Sequence, residues 1–256
     1  MGHRPACAPS PARRAFQRGV GRDYGPRVDA AIPGRSRGDL PGFANSADLA
    51  GLPLPGGRTV PPRRIVRANT PEHLLVEELA AAETFGFATV LDLRSREELR
   101  ACPHPLAQLP GYRSLPLIDP AAEAREDITR YRTLGDIYSS SLQRNATHIA
   151  AIFSALADAP PGPVLISCRA GRDRTGMVIA VLLDLAGVDR DTIVADYTAF
   201  PDELPPAPTN LHRAGDSAIM QMLEHVSATY GSTAGYLRWL GLPDVAIDTL
   251  QRRLEP

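Results

Sequence analysis

Cys168 and Arg174 frame the run Cys168-Arg169-Ala170-Gly171-Arg172-Asp173-Arg174-Thr175-Gly176. A thiol and a guanidinium at this spacing, joined by a turn containing glycine, can share one anion. The amides of Arg169, Ala170, Gly171, Arg172, Asp173, Arg174 and Thr175 would ring that anion at the start of a helix, where partial positive charge gathers. Such surroundings lower a thiol pKa from about 8.5 to roughly 3.5–7.5. Cys168 would then attack phosphorus as a thiolate, splitting one hydrolysis into two easier steps through a thiophosphate ester. Arg174 would bind two phosphate oxygens with its planar fork. Gly171 permits close backbone approach and unusual dihedrals. Thr175 can donate a hydrogen bond to the sulfur, or serve as an ordinary first-turn residue. The leaving oxygen needs a proton; Asp173 is the nearest carboxyl in the chain, with Asp92 and Asp119 as candidates from outside the loop. Two alternatives stay open here: Asp92 could pair with Arg94, and Asp173 could cap the helix beginning near Arg174.

The spacing alone is cheap. Cys7 and Arg13 repeat it in Cys-Ala-Pro-Ser-Pro-Ala-Arg, with no strand before it, no glycine, and prolines where N–H donors are needed. Context separates Cys168 from that copy. Val164-Leu165-Ile166 reads as a buried strand ending at the cysteine, and Met177 to Leu183 as a core helix after it. Thr89 to Leu93 is a second buried strand, and Leu115 to Ile118 a further extended segment. Helices are expected from Thr70, as N-cap with Pro71 at the first helical position, to Gly86; from Ser95 over 96–100; over most of 121–158; from Asp189 or Asp191 through Tyr197; and over 211–254 with a turn at Gly241-Leu242-Pro243. Strands separated by helices predict an α/β fold with a mainly parallel central sheet flanked by helices on both faces. Ligands in such folds sit beyond the carboxyl ends of the strands, so Asp92 and Cys168 are placed on one rim.

The rest of the chain sets bounds. Its 256 residues carry a net charge of −1, which gives no global argument for nucleic acid or membrane as partner. All 28 basic residues are arginine, so a catalytic lysine is excluded. Three cysteines form an odd, sparse set, a poor disulfide framework that fits a reducing compartment. No apolar run approaches the length of a membrane span, and the N-terminus lacks a signal-peptide pattern. The expected setting is cytoplasmic, or export without a recognisable signal peptide. Residues 1–40, rich in Arg, Pro and Gly, read as a disordered tail, and 41–256 as one domain.

The segment Ser167 to Gly176 resembles the signature His-Cys-x-x-Gly-Lys-Asp-Arg-Thr-Gly of the bacterial atypical tyrosine and dual-specificity phosphatases of the protein tyrosine phosphatase B type. Asp92-Leu93-Arg94-Ser95-x-x-Glu98 resembles that family's upstream strand motif. Asn45 to Gly51 and Arg67 sit where it has N-terminal motifs, and Tyr230-Gly231-Ser232 to Leu237 resembles its C-terminal helical hairpin. The resemblance implies a cysteine-phosphatase fold with no metal and no cofactor, and hydrolysis of phosphotyrosine, often with phosphoserine, phosphothreonine or phosphoinositides. It implies Cys168 as nucleophile, Arg174 as the phosphate-binding arginine, and Asp173 and Asp92 as the aspartates considered for proton transfer. Ser167 and Arg172 stand where the family has histidine and lysine. Arg169 adds a cation suited to a strongly anionic substrate such as a phosphoinositide headgroup. Two rival readings remain. Cys168 to Arg172 also resembles a rhodanese persulfide loop, which would make the chain a sulfurtransferase. A catalytically weak phosphate-binding pseudophosphatase is the other.

Overall fold

The computed structural model describes residues 40–199 and 218–256; the tail expected over 1–40 lies almost wholly outside them. A five-stranded sheet has the order β1 (Ala47–Asp48), β4 (Ile65–Asn69), β7 (Val164–Cys168), β5 (Thr89–Asp92), β6 (Tyr112–Ser114). Every pairing is parallel except that of β1 with β4. A small antiparallel pair, β2 (Pro53–Leu54) and β3 (Arg58–Thr59), stands apart from it.

The residues of β4, β5 and β7 are all buried, as a sheet covered on both faces requires. Alternation along β7 divides the core. Val164, Ile166 and Cys168 join the larger apolar cluster; Leu165 joins a smaller one with Val66, Val90, Phe43 and Leu106. Helix α1 (Val76–Thr84) covers the smaller side through Leu79 and Ala82.

The larger side is filled by α4 (Leu134–Arg144), α5 (Ala146–Ala157), α6 (Asp173–Leu185), α7 (Arg190–Thr198), α8 (Ala218–Tyr230), α9 (Thr233–Trp239) and α10 (Asp244–Arg252). Helix α6 is the central one, buried over nearly its whole length. Each of its leucine, valine and isoleucine side chains contributes about 1.5–3 kcal/mol by leaving water. That burial anchors the helix whose first turn forms one side of the loop. Two shorter helices, α2 (Arg96–Ala101) and α3 (Pro120–Glu123), lie on the rim connections.

Several boundaries differ from the sequence expectation. Thr70 caps no helix: its amide goes to the carbonyl of Cys168 at 2.8 Å, and α1 begins only at Val76, where Glu78 receives the Leu75 amide. The stretch 121–158 is broken at Asn145, whose side chain bonds Ser141, Glu123 and the Asp119 amide. The strand after α2 is Tyr112–Ser114 rather than Leu115 to Ile118. Cys168 is a free thiol. The predicted helix over 211–254 holds from Ala218 as α8, α9 and α10; its first residues lie outside the described ones. Gly231 makes the α8–α9 turn of the C-terminal hairpin at φ +76°.

Candidate active site

Parallel register sets Asn69 opposite Cys168 and Asp92 opposite Ser167. The carboxyl ends of β4, β7 and β5 therefore share one rim, as the strand pattern predicts. Beyond Cys168 the chain turns at once into α6. The turn is held from behind by three donors. Thr70 N–H reaches the Cys168 carbonyl, Asn45 Nδ2 the Ala170 carbonyl at 2.8 Å, and Arg67 Nη2 the Gly171 carbonyl at 2.9 Å. In a trans peptide the N–H that follows a carbonyl points the opposite way. Tying these three carbonyls outward aims the amides of Arg169, Gly171 and Arg172 into the turn, which makes an anion cradle.

The supports are themselves fixed. Arg67 is fully buried and ion-paired with Asp196 of α7, also buried. Asn45 hangs its own amide on Asn69 Oδ1. Gly171 sits at φ +69°, and a Cβ there would lie 2.4 Å from the Asn69 nitrogen. Only glycine lets the loop lie so close to β4. A Cβ on Gly176 would meet the Tyr197 ring at 2.7 Å, so α6 packs tightly against that phenol.

Cys168 is 2% exposed, at the floor of the turn. Arg174 forms two parallel hydrogen bonds to Glu98, Nη1 to Oε2 at 2.6 Å and Nη2 to Oε1 at 2.8 Å. Burial opposes the charge on Arg174, but Glu98, the Cys168 sulfur and Asp173 together push its pKa above the ordinary arginine value. Burial likewise raises Glu98, and the Arg174 partner outweighs it, holding the carboxyl at about 2. Glu98 is in turn placed by a capping box: its carboxylate accepts the Ser95 amide while Ser95 Oγ accepts the Glu98 amide.

Asp173 is the first residue of α6, after Arg172 as N-cap. Its Oδ1 accepts from the hydroxyls of Tyr138 and Tyr197, which lie 2.8 Å from each other. Burial and the Asp173 charge raise both phenols, Tyr197 to about 12, so both remain donors. Asp173 Oδ2 has no hydrogen-bond partner among the described residues. Asp92 is different. It is fully buried, and its carboxylate accepts from Arg94 N, Nε and Nη2 and from the Tyr112 hydroxyl. Of the two alternatives left open, the Asp92–Arg94 pair is present. Asp119 caps α3 through the Ala121 amide.

Arg172 is buried, its guanidinium 5.3 Å from the Tyr197 ring centre, while Arg169 is exposed. The Thr175 hydroxyl is fully buried and has no partner among the described residues. The described residues contain no group of three or more His, Cys, Asp or Glu side chains placed to hold a metal.

Reasoning from the sequence assigned no site role to Glu98, Tyr138, Tyr197, Asn45 or Arg67, although three of them fall within segments of family resemblance. The Ser95-x-x-Glu98 capping pattern was the one local signal; Tyr138 and Tyr197 are ordinary helix residues until α4 and α7 pack beside α6.

A strand ending in a buried free thiol, an outward-braced turn and an arginine clamped by Glu98 meet on one rim of the sheet. Residues 38–255 match the family model described as "Tyrosine phosphatase family", and the chain belongs to that family. It is a phosphoric monoester hydrolase by that membership. The chain is 27% identical to the triple specificity protein phosphatase PtpB of Mycobacterium tuberculosis, an alignment covering 83% of this chain and 97% of that protein. It is 26% identical to a tyrosine-protein phosphatase of Nostoc commune, covering 76% and 75%. Among solved structures, Pseudomonas aeruginosa TpbA is similar at 19% identity and a TM-score of 0.32, covering 75% of this chain and 86% of that one.

Proposed function

We propose that the protein hydrolyses phosphate monoesters of tyrosine, and also of serine or threonine, through a cysteinyl-phosphate intermediate at Cys168. The braced turn carries this reading: three carbonyls tied outward turn the following amides into the loop that begins at the buried sulfur, and Arg174 is near enough to feel the charge of that sulfur. The thiolate attacks phosphorus, the P–O ester bond breaks, and its electron pair leaves on the alcohol or phenol oxygen. Asp173 gives that oxygen its proton from Oδ2, since Oδ1 is taken by Tyr138 and Tyr197. Water, losing a proton back to Asp173, then attacks phosphorus, and the sulfur departs as thiolate. Thr175, whose buried hydroxyl lacks another partner among the described residues, donates to that sulfur. Arg174 and the loop amides meet the charge on the equatorial oxygens. Asp92, closed off by Arg94 and Tyr112, braces the rim instead of moving protons.

Family membership favours this over the persulfide loop, and a thiol kept under the cradle speaks against a mere binder. Arg169, whose exposed side chain has no hydrogen bond or ion pair among the described residues, suits an anionic substrate such as a phosphoinositide. The proposed setting is cytoplasmic, or export without a recognisable signal peptide; no helix of the described residues is long and apolar enough to cross a membrane. A panel of phosphotyrosine, phosphoserine and phosphothreonine peptides, a phosphoinositide, and thiosulfate with cyanide tests the reading. Turnover of the phosphopeptides is expected. Thiocyanate formation without phosphate release would overturn it.

A further inference from the structure

Successive side chains of β7 point to opposite faces, so Ser167, next to Cys168, projects toward the smaller core. It meets a histidine there that the mechanism does not use. His104 is 3% exposed and Ser167 is fully buried. His104 Nδ1 accepts the Leu106 amide at 3.0 Å. That fixes the tautomer, so the proton sits on Nε2 and is donated to Ser167 Oγ at 3.2 Å. Thr70 Oγ1 approaches the same hydroxyl at 3.4 Å, and the Thr70 amide holds the Cys168 carbonyl. The two peptides around the nucleophile are thus tied on the side-chain side by His104 and on the backbone side by Thr70. Burial keeps His104 low, at about 4, so the donor is neutral imidazole at physiological pH.

We propose that His104 is a positioning residue for the nucleophile, acting through Ser167 to fix where the strand ends and the phosphate loop begins. This rests on the reading of Cys168 as nucleophile. The imidazole touches neither substrate nor sulfur; it removes freedom from the residue that carries the sulfur. A displacement of about 1 Å at a reacting atom costs up to about 100-fold in rate.

The experiment compares His104→Ala, Ser167→Ala, the double variant and His104→Gln, which keeps an N–H donor. Three quantities are read: kcat and KM on an aryl phosphate, and the rate at which iodoacetamide alkylates Cys168, followed by peptide mass spectrometry. A drop in kcat of about 10- to 100-fold with KM unchanged is expected for His104→Ala and Ser167→Ala. Alkylation should slow in parallel, the double variant should be no worse than either single one, and His104→Gln should recover most of the loss. Unchanged kinetics and alkylation in folded single variants, or losses that simply add, would overturn the proposal. Should His104→Ala fail to fold, Ser167→Ala and His104→Gln carry the same comparison. Altered alkylation with unaltered turnover would uphold the positioning role and refute Cys168 as nucleophile, so the two failures are distinguishable.

Discussion

Arg174 and Glu98 face each other across the rim with two parallel hydrogen bonds of 2.6 and 2.8 Å. Arginine has a flexible stem, and holding it in one geometry costs rotamer entropy. Glu98 meets that cost before substrate arrives, leaving the cation oriented beside Cys168. For the proposed phosphate-binding role, the fork is therefore pre-organised rather than recruited.

Glu98→Gln should lower kcat/KM on the order of 10-fold, and Glu98→Ala more, because bidentate charged pairing is what fixes the guanidinium. Glu98 is depressed from 4.5 to about 2, so the pair is intact above about pH 4.5 and is lost only as pH falls through about 2. An acidic limb of the pH–rate profile above pH 3 should thus survive in Glu98→Gln. Its disappearance would assign that limb to Glu98.

Asp173 and Asp92 should separate by leaving group. Asp173→Asn should slow an alkyl phosphate by roughly 100-fold or more and an aryl phosphate far less, since the poorer leaving group depends on the proton. Asp92→Asn should affect both esters alike and lower the melting temperature, because it strips a buried charge from Arg94. Equal losses on both esters for Asp173→Asn would remove it as the acid.

Tyr138→Phe and Tyr197→Phe each delete one donor to Asp173 Oδ1. Either should reduce alkyl phosphate turnover more than aryl, the same signature as Asp173 in weaker form. The double variant, measured on both esters, should approach the Asp173→Asn pattern.

Gly171→Ala should abolish oxyanion binding, measured with vanadate or inorganic phosphate, and cost more than about 1 kcal/mol of stability. The backbone there sits at φ +69°, and an added methyl group would fall 2.4 Å from the Asn69 nitrogen, closer than van der Waals contact allows.

His104 is lowered from 6.5 to about 4, by burial first, with Asp92 opposing and Arg94 assisting. Between those pH values the unfolded chain binds the extra proton, so stability should rise with pH across about 4 to 6.5. The total is on the order of 3 kcal/mol. Denaturant melts of His104→Gln should show a flatter dependence over that window.

The strand–loop–helix around Cys168, the rim shared with Asp92 and the parallel sheet were legible because each is a local pattern: a buried apolar run, a glycine turn, a helical period. Ser95 as a cap was legible for the same reason. The loop supports were not. Asn45 lies 125 residues from Ala170 and Arg67 104 from Gly171, so no spacing rule joins them. Thr70 read as a helix cap because Thr-Pro is a common helix start; the nearby Cys168 carbonyl, a tertiary partner, took its amide instead. The proposed division of roles between Asp92 and Asp173 rests on partners from other elements, Tyr112 for one and Tyr138 and Tyr197 for the other.

Rapid-quench capture of a phosphorus-32-labelled phosphotyrosine peptide, followed by peptide mapping, tests the covalent route most directly. Label should appear in a burst on the peptide containing Cys168 and vanish in Cys168→Ser, which still binds vanadate. Turnover retained in Cys168→Ser, or label on any other residue, would contradict it.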